Sequence, residues 1–350
     1  MDQTATPAGI DPDNVTTWLC EHEPSVIAPL DFELITGGLS NLTFLVTDAT
    51  GRRWVLRRPP LGHVLATAHD VAREHRIISA LAPTPVPVAP VVGLCADDSV
   101  NGAPFYVMEH VDGIVARDVA AGEQLSPAAR ARAGEAVVEV LTAIHSVDVD
   151  AVGLGDLGRR EAYVERQLSR WQRQWEATRD AEVPVVDDLH ARLAAAVPEQ
   201  GPATIVHGDY RLDNCILSCD GEIAAVLDWE LCTLGDPLAD VGLMLVYWTE
   251  AGDAVQTGLP TATTLDGFPT RAELVSSYHE HSGRDLSSIG FYVALGYWKL
   301  ACILQGVLVR YRAGAMGDQA GDAGGFTDQV AALGRAGMAA LDGEIGALRG

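Results

Sequence analysis

The hydrophobic pattern of this chain changes near Val111-Asp112-Gly113, and that change limits the folds open to it. Before it, Asp31–Thr36, Leu42–Thr47 and Trp54–Arg57 are short β-branched or aromatic runs separated by turn residues, which predicts a strand meander. Val71–Leu81 places Val71, Ile77, Ile78 and Leu81 on one side of a helix. Ala82–Pro90 holds four prolines and cannot be helical, and two more strands follow near Val91–Cys95 and Phe105–His110. From about residue 114 the period becomes helical: Pro127–Ser146, Arg159–Arg179, Asp188–Ala196, Asp236–Tyr247 and Ser287–Arg312. Strands grouped before helices point to an α+β fold, with five strands and one helix in residues 1–112 and a larger, mainly helical part in 113–350.

Composition narrows the function. The 350 residues carry 24 Lys and Arg against 48 Asp and Glu, a net charge of −24. Such a surface repels a phosphate backbone and an anionic membrane face, so neither nucleic acid nor membrane is expected as a partner. The purely apolar runs are short, and Val241–Trp248 is far below the ~20 residues a bilayer requires. Met1–Ile10 has no basic segment and no apolar core, and the six cysteines form no CxxC pair. The expectation is a cytoplasmic chain with reduced thiols. Lys299 is the only lysine, every other non-histidine cation being Arg. Ala313–Gly325 reads as a flexible loop.

Chemistry concentrates in Ile205–Leu217 (IVHGDYRLDNCIL) and Ala225–Glu230 (AVLDWE), with a hairpin signal at Asp220-Gly221. Asp209 sits on a loop between apolar flanks, Asn214 lies five residues on, and Asp228 ends a buried strand. Asn214 and Asp228 offer hard oxygen ligands that suit Mg²⁺ carrying phosphate. Asp209 is then free to accept a proton from a substrate hydroxyl. His207-x-Asp209 could also begin a metal-hydrolase site, but no HxxxH partner completes it.

His207-Gly208-Asp209 with Asn214 and Asp228 resembles the catalytic and metal loops of protein-kinase-like enzymes. The HGD and DWE variants resemble the aminoglycoside/choline-kinase branch, the phosphotransferase enzyme family. The resemblance covers roughly residues 30–310 and implies a two-lobe fold, with a small β-rich first lobe and a larger helical second lobe. It implies ATP and Mg²⁺ as cofactors, Asp209 as catalytic base, Asn214 and Asp228 as metal ligands, and His207 and Asp240 as supports of the catalytic loop. Gly37-Gly38-Leu39-Ser40-Asn41 stands where the family covers the phosphates, which makes Gly38, Ser40 and Asn41 candidate nucleotide contacts. Arg57 stands where kinases carry a lysine, a departure from their pattern, with Glu74 as its ion-pair partner and Arg58 as an alternative facing the other way. Glu109 and Val111 would meet the adenine edge, with Met108 packed behind. Asp236 reads as a helix cap.

The phosphate acceptor implied is the hydroxyl of a small molecule. Arg166, Arg170 and Arg173 fall on one helix face beside Trp171, a locally basic surface that would suit an anionic acceptor with an apolar body. The GGLSN, VLRRPP, REHRIISAL and HGDYRLDN segments look similar to kinase-like domains associated with acyl-CoA dehydrogenases, which implies a hydroxyacyl-CoA-type acceptor. An aminoglycoside acceptor and a nucleotide-binding scaffold of weak activity are the alternatives. The oligomeric state is not readable from the sequence.

Overall fold

A computed structural model describes residues 7–35, 41–61, 70–253, 261–312 and 323–343. The chain divides into two compact units: Met1–Asp112 with Ala224–Glu230, and Gly113–Ile223 with Leu231–Gly350.

The first unit is built on an antiparallel sheet of five strands, β1 (Asp31–Leu34), β2 (Leu42–Thr47), β3 (Arg53–Arg58), β4 (Val91–Cys95) and β5 (Phe105–Glu109), in the order β1-β2-β3-β5-β4. Alternation along β2, β3 and β5 sends Phe44, Val46, Trp54, Leu56, Phe105 and Val107 into one apolar cluster. A helix not foreseen from the sequence, Pro12–His22, closes that cluster with Val15, Trp18 and Leu19. Its start follows capping chemistry: Asp11 accepts the Asn14 N–H at 3.1 Å and Pro12 opens the first turn. The same alternation separates the two arginines of β3. Arg58 goes with Leu56 and donates to the backbone carbonyls of Gly9 and Asn101. Arg57 lies opposite Tyr106 in the register and pairs with Glu74 of the helix Val71–Leu81.

The second unit is helical. Ile289–Arg312 packs on Leu238–Tyr247, Tyr163–Thr178 and Ala323–Leu341. Ile289–Arg310 is long and apolar enough to cross a bilayer, yet 67% of its apolar window is buried against the rest of the protein, as in a core helix. A Cβ on Gly242 would come within 2.4 Å of the Tyr292 backbone, so this glycine lets two helices approach closely. Two boundaries differ from expectation. The helix read as Arg159–Arg179 begins at Tyr163, because Ala162 turns into the left-handed region at φ 50°. Ala323–Gly325, read as loop, already belong to the helix Ala323–Leu341, whereas 313–322 lie outside the described residues. A two-stranded ribbon, Thr204–Val206 antiparallel to Thr233–Gly235, leads directly into His207.

Candidate functional site

In the second unit the buried ribbon ends and the chain turns at Gly208, φ 83°, where a Cβ would sit 3.0 Å from the backbone oxygen of Leu231. That geometry is open to glycine and strained for any other residue. Asp240, wholly buried in the first turn of the helix Leu238–Tyr247, accepts the His207 N–H at 2.6 Å and the Gly208 N–H at 2.8 Å. Burial alone would raise the Asp240 carboxyl, but hydrogen bonding and charge from His145 and His207, with the Gly208 N–H, outweigh it and hold it below the usual range. His145 in turn meets the Tyr278 hydroxyl at 2.7 Å, and burial lowers its own pKa. His207 is inaccessible and its Nδ1 accepts the Asp209 N–H at 3.2 Å, so it serves the loop from inside.

Asp209 is thereby presented on a braced turn. Asn214, at the end of the short helical turn Leu212–Asn214, donates Nδ2 to the Asp209 carbonyl at 2.8 Å and to its carboxylate at 3.0 Å. Spending the amide nitrogen this way leaves Asn214 Oδ1 to accept or to ligate. Arg211 stands 3.5 Å from the Asp209 carboxylate and 4.7 Å above the Tyr247 ring. Beside it opens a cavity of about 190 Å³ lined by Arg117, Arg211, Asp213, Met244, Tyr247 and Trp248, among others.

In the first unit, Arg57 Nη1 lies 2.6 Å from Glu74 and Nη2 lies 3.6 Å from Asp228. Burial raises the Glu74 carboxyl to about 7, with Arg57 opposing and Asp228 and Glu230 adding to the rise. Asp228 holds φ 63°, a costly position for a non-glycine residue, and its Oδ1 accepts no hydrogen bond, Arg57 Nη2 at 3.6 Å being its cationic neighbour. A carboxylate oxygen without a hydrogen-bond donor is a hard ligand of the sort a divalent cation takes, and the Asn214 amide oxygen is a hard donor as well. Both fit Mg²⁺. Among the described residues no three His, Cys, Asp or Glu side chains converge on a metal position, which leaves a His207-Asp209 hydrolase centre without support.

The remaining candidates are placed as follows. Gly38 and Ser40 lie outside the described residues; Asn41 is buried, with Oδ1 unpartnered. Met108 is buried in β5, while the Glu109 N–H is already given to Pro90 at 2.8 Å, leaving only its carbonyl for a ligand. The Val111 N–H makes no backbone hydrogen bond among the described residues. Arg166 donates to the Arg159 carbonyl, Arg170 covers the buried Trp171, and Arg173 is exposed without a hydrogen bond or ion pair among the described residues. None of the three arginines lines the cavity beside Arg211. Asp236 accepts the Leu238 N–H at 3.0 Å and the Tyr292 hydroxyl at 2.6 Å.

The sequence profile of the Phosphotransferase enzyme family matches residues 31–274. The chain belongs to this family. Mouse acyl-CoA dehydrogenase family member 10 is 38% identical over 310 residues, covering 87% of this chain and 29% of that protein. Human acyl-CoA dehydrogenase family member 11 is 35% identical over 293 residues, covering 82% and 37% respectively. The chain thus spans about a third of the length of these relatives. A crystal structure from Ralstonia eutropha JMP134, provisionally described as an aminoglycoside phosphotransferase, superposes with a TM-score of 0.80 at 32% identity, over 95% of this chain and 98% of that one. The GDP complex of aminoglycoside 2'-phosphotransferase-IIIa shares the fold at 14% identity, with a TM-score of 0.64 and coverage of 92% and 99%. The protein-kinase-like fold follows for this member of the phosphotransferase enzyme family.

Proposed function

We propose that this phosphotransferase moves the γ-phosphoryl group of ATP to the hydroxyl of an anionic small molecule of the hydroxyacyl-CoA type. The observation that carries the reading is the braced turn at Asp209: a carboxylate held by Asn214 on a loop clamped by Asp240. In this reading Asp209 accepts the proton of the acceptor hydroxyl as its oxygen attacks phosphorus. Arg57, held by Glu74, places a guanidinium for the nucleotide phosphates, and Asn41 and the backbone at Glu109 and Val111 orient the nucleotide. Asn214 and Asp228 would hold Mg²⁺, which supplies neutralisation of phosphate charge when bound. The cavity beside Arg211, with two guanidinium groups and aromatic walls, supports an acceptor that is both anionic and apolar. The acyl-CoA dehydrogenase family relatives agree with an acyl-CoA class. An aminoglycoside acceptor is the second reading, favoured by the net charge of −24 and by the Ralstonia structure.

Thermal unfolding with ATP, GTP and ADP, each with and without Mg²⁺, tests the first half of the proposal. A native-state ligand at about 100 times its Kd stabilises by about 2.7 kcal/mol, several degrees in Tm. Mg²⁺-dependent stabilisation by ATP is expected, followed by ADP release with 3- or 4-hydroxyacyl-CoA and none with kanamycin. No shift with any nucleotide refutes the reading; turnover with kanamycin alone replaces the acceptor.

A further inference from the structure

A chain that uses arginine for every other non-histidine cation keeps one lysine, Lys299, on the helix Ile289–Arg312. Its Nζ donates to the carbonyl of Gly208 at 2.7 Å across 91 residues of sequence. The ammonium lies 5.6 Å from the centre of the Trp171 ring. With Tyr163, Gln167, Trp171, Gly208 and Asp240 it lines a cavity of about 30 Å³, room for about one water molecule. Asp209 and Asp240 supply nearby negative charge, and Arg170 and Arg211 supply positive charge. Burial pulls the ammonium below its ordinary pKa and the two carboxylates oppose that fall.

The geometry puts Gly208 between two charged groups. Asp240 takes its N–H and Lys299 takes its C=O. Rotation of the turn at φ 83° would break one or the other, and the next residue is Asp209. A compact ammonium on a long stem reaches a single carbonyl beside an indole ring, where a planar guanidinium fork demands more room. Removing it leaves the Gly208 carbonyl without its charged donor while Asp240 still pulls from the other side.

We propose that Lys299 is a positioning residue for phosphotransfer, holding the Gly208 carbonyl so that Asp209 keeps its approach to the acceptor hydroxyl. This rests on the reading of Asp209 as the proton acceptor. The ammonium touches no substrate; it acts through the peptide before Asp209.

The test uses the full chain as wild type, K299M and K299R, with hydrolysis of Mg·ATP to ADP and phosphate as the reaction, water being the phosphoryl acceptor. Loss of one charge-assisted hydrogen bond should lower kcat of K299M by about 10- to 100-fold. The Kd for Mg·ATP should stay within about 3-fold, since only the catalytic loop is released. Amide hydrogen exchange at 207–209 should quicken by about 10-fold or more in K299M, with the ribbon 204–206 unchanged. K299R, which keeps charge and a donor, should recover part of both. Unchanged exchange at 207–209, a kcat within about 2-fold of wild type, or a Kd weakened by the same factor as kcat overturns the proposal. If wild type hydrolyses no ATP, hydrogen exchange at 207–209 decides by itself whether Lys299 holds the loop. A measurement without any variant is also open: with [15N]lysine the protein carries one labelled ammonium, which should exchange slowly with solvent, and a freely exchanging signal refutes the clamp.

Discussion

Asp209 is held by neighbours that differ in what they can do for catalysis. Asn214 and the His207 ring fix its backbone and one carboxylate oxygen, while the carboxylate remains partly accessible. Substitution D209N keeps the size and most of the hydrogen-bonding geometry but removes the proton acceptor. General-base catalysis is worth about 10²- to 10⁴-fold, so kcat should fall by that factor while Mg·ATP affinity changes by less than about 3-fold. Steady-state turnover beside nucleotide titration separates the two quantities. An Asn variant retaining a third or more of the turnover would remove Asp209 from the role of base. Asp228, by contrast, bears its cost in the backbone: a left-handed φ of 63° and a carboxylate oxygen that accepts no hydrogen bond are a poor arrangement for stability alone. Their persistence is understandable if the carboxylate is kept for a cation.

At the scale of elements, the turn from β2 to β3 is closed by one carboxylate. Asp48 accepts the N–H groups of Ile27, Thr50 and Arg52 at 3.2, 2.8 and 3.0 Å and the Thr50 hydroxyl at 2.6 Å. Burial pushes its pKa up, but these donors outweigh it and bring it down from 3.8 to about 2. Because the folded pKa is depressed, the stabilisation is complete above the unfolded value and disappears as pH falls through the folded one. D48N should therefore lower Tm at pH 7, and the gap to wild type should close between pH 3.8 and about 2; a gap independent of pH would assign the effect to the turn's shape. The strands on either side of this turn were legible in the sequence because period-2 alternation and turn residues are local signals, and so was the spacing of Asp209 and Asn214. Alternation also stated that Arg57 and Arg58 face apart, but only the packed helix Val71–Leu81 decides which one meets Glu74. The helix Pro12–His22 escaped notice because its buried face consists of three residues, although Asp11-Pro12 is a start signal. Gly324 and Gly325 suggested a loop, yet packing of Ala323–Leu341 on Ile289–Arg312 overrides that preference. Lys299 stood out only by composition; its partner is 91 residues away, and no spacing rule reaches that far.

For the whole molecule, two electrostatic effects oppose each other. A net charge of −24 repels itself in the folded state, and added salt should relieve that repulsion. Local ion pairs run the other way, because salt weakens them: Arg132 with Glu139 and Glu222, Arg192 with Asp342, and Arg160 with Asp150. These pairs are largely exposed, and each exposed pair is worth about 0–1 kcal/mol. An excess of acids that doubles the bases outweighs them. Raising NaCl from about 10 to about 150 mM shortens the Debye length from about 30 to about 8 Å and should raise Tm by about 2–5 °C. MgCl₂ at matched ionic strength should give the same rise plus any specific contribution at Asp228, and D228N should erase only the specific part. A Tm that falls with NaCl would mean that local pairs dominate. In that case MgCl₂ should also lower Tm by screening, and binding at Asp228 is read as the difference between MgCl₂ and NaCl at matched ionic strength.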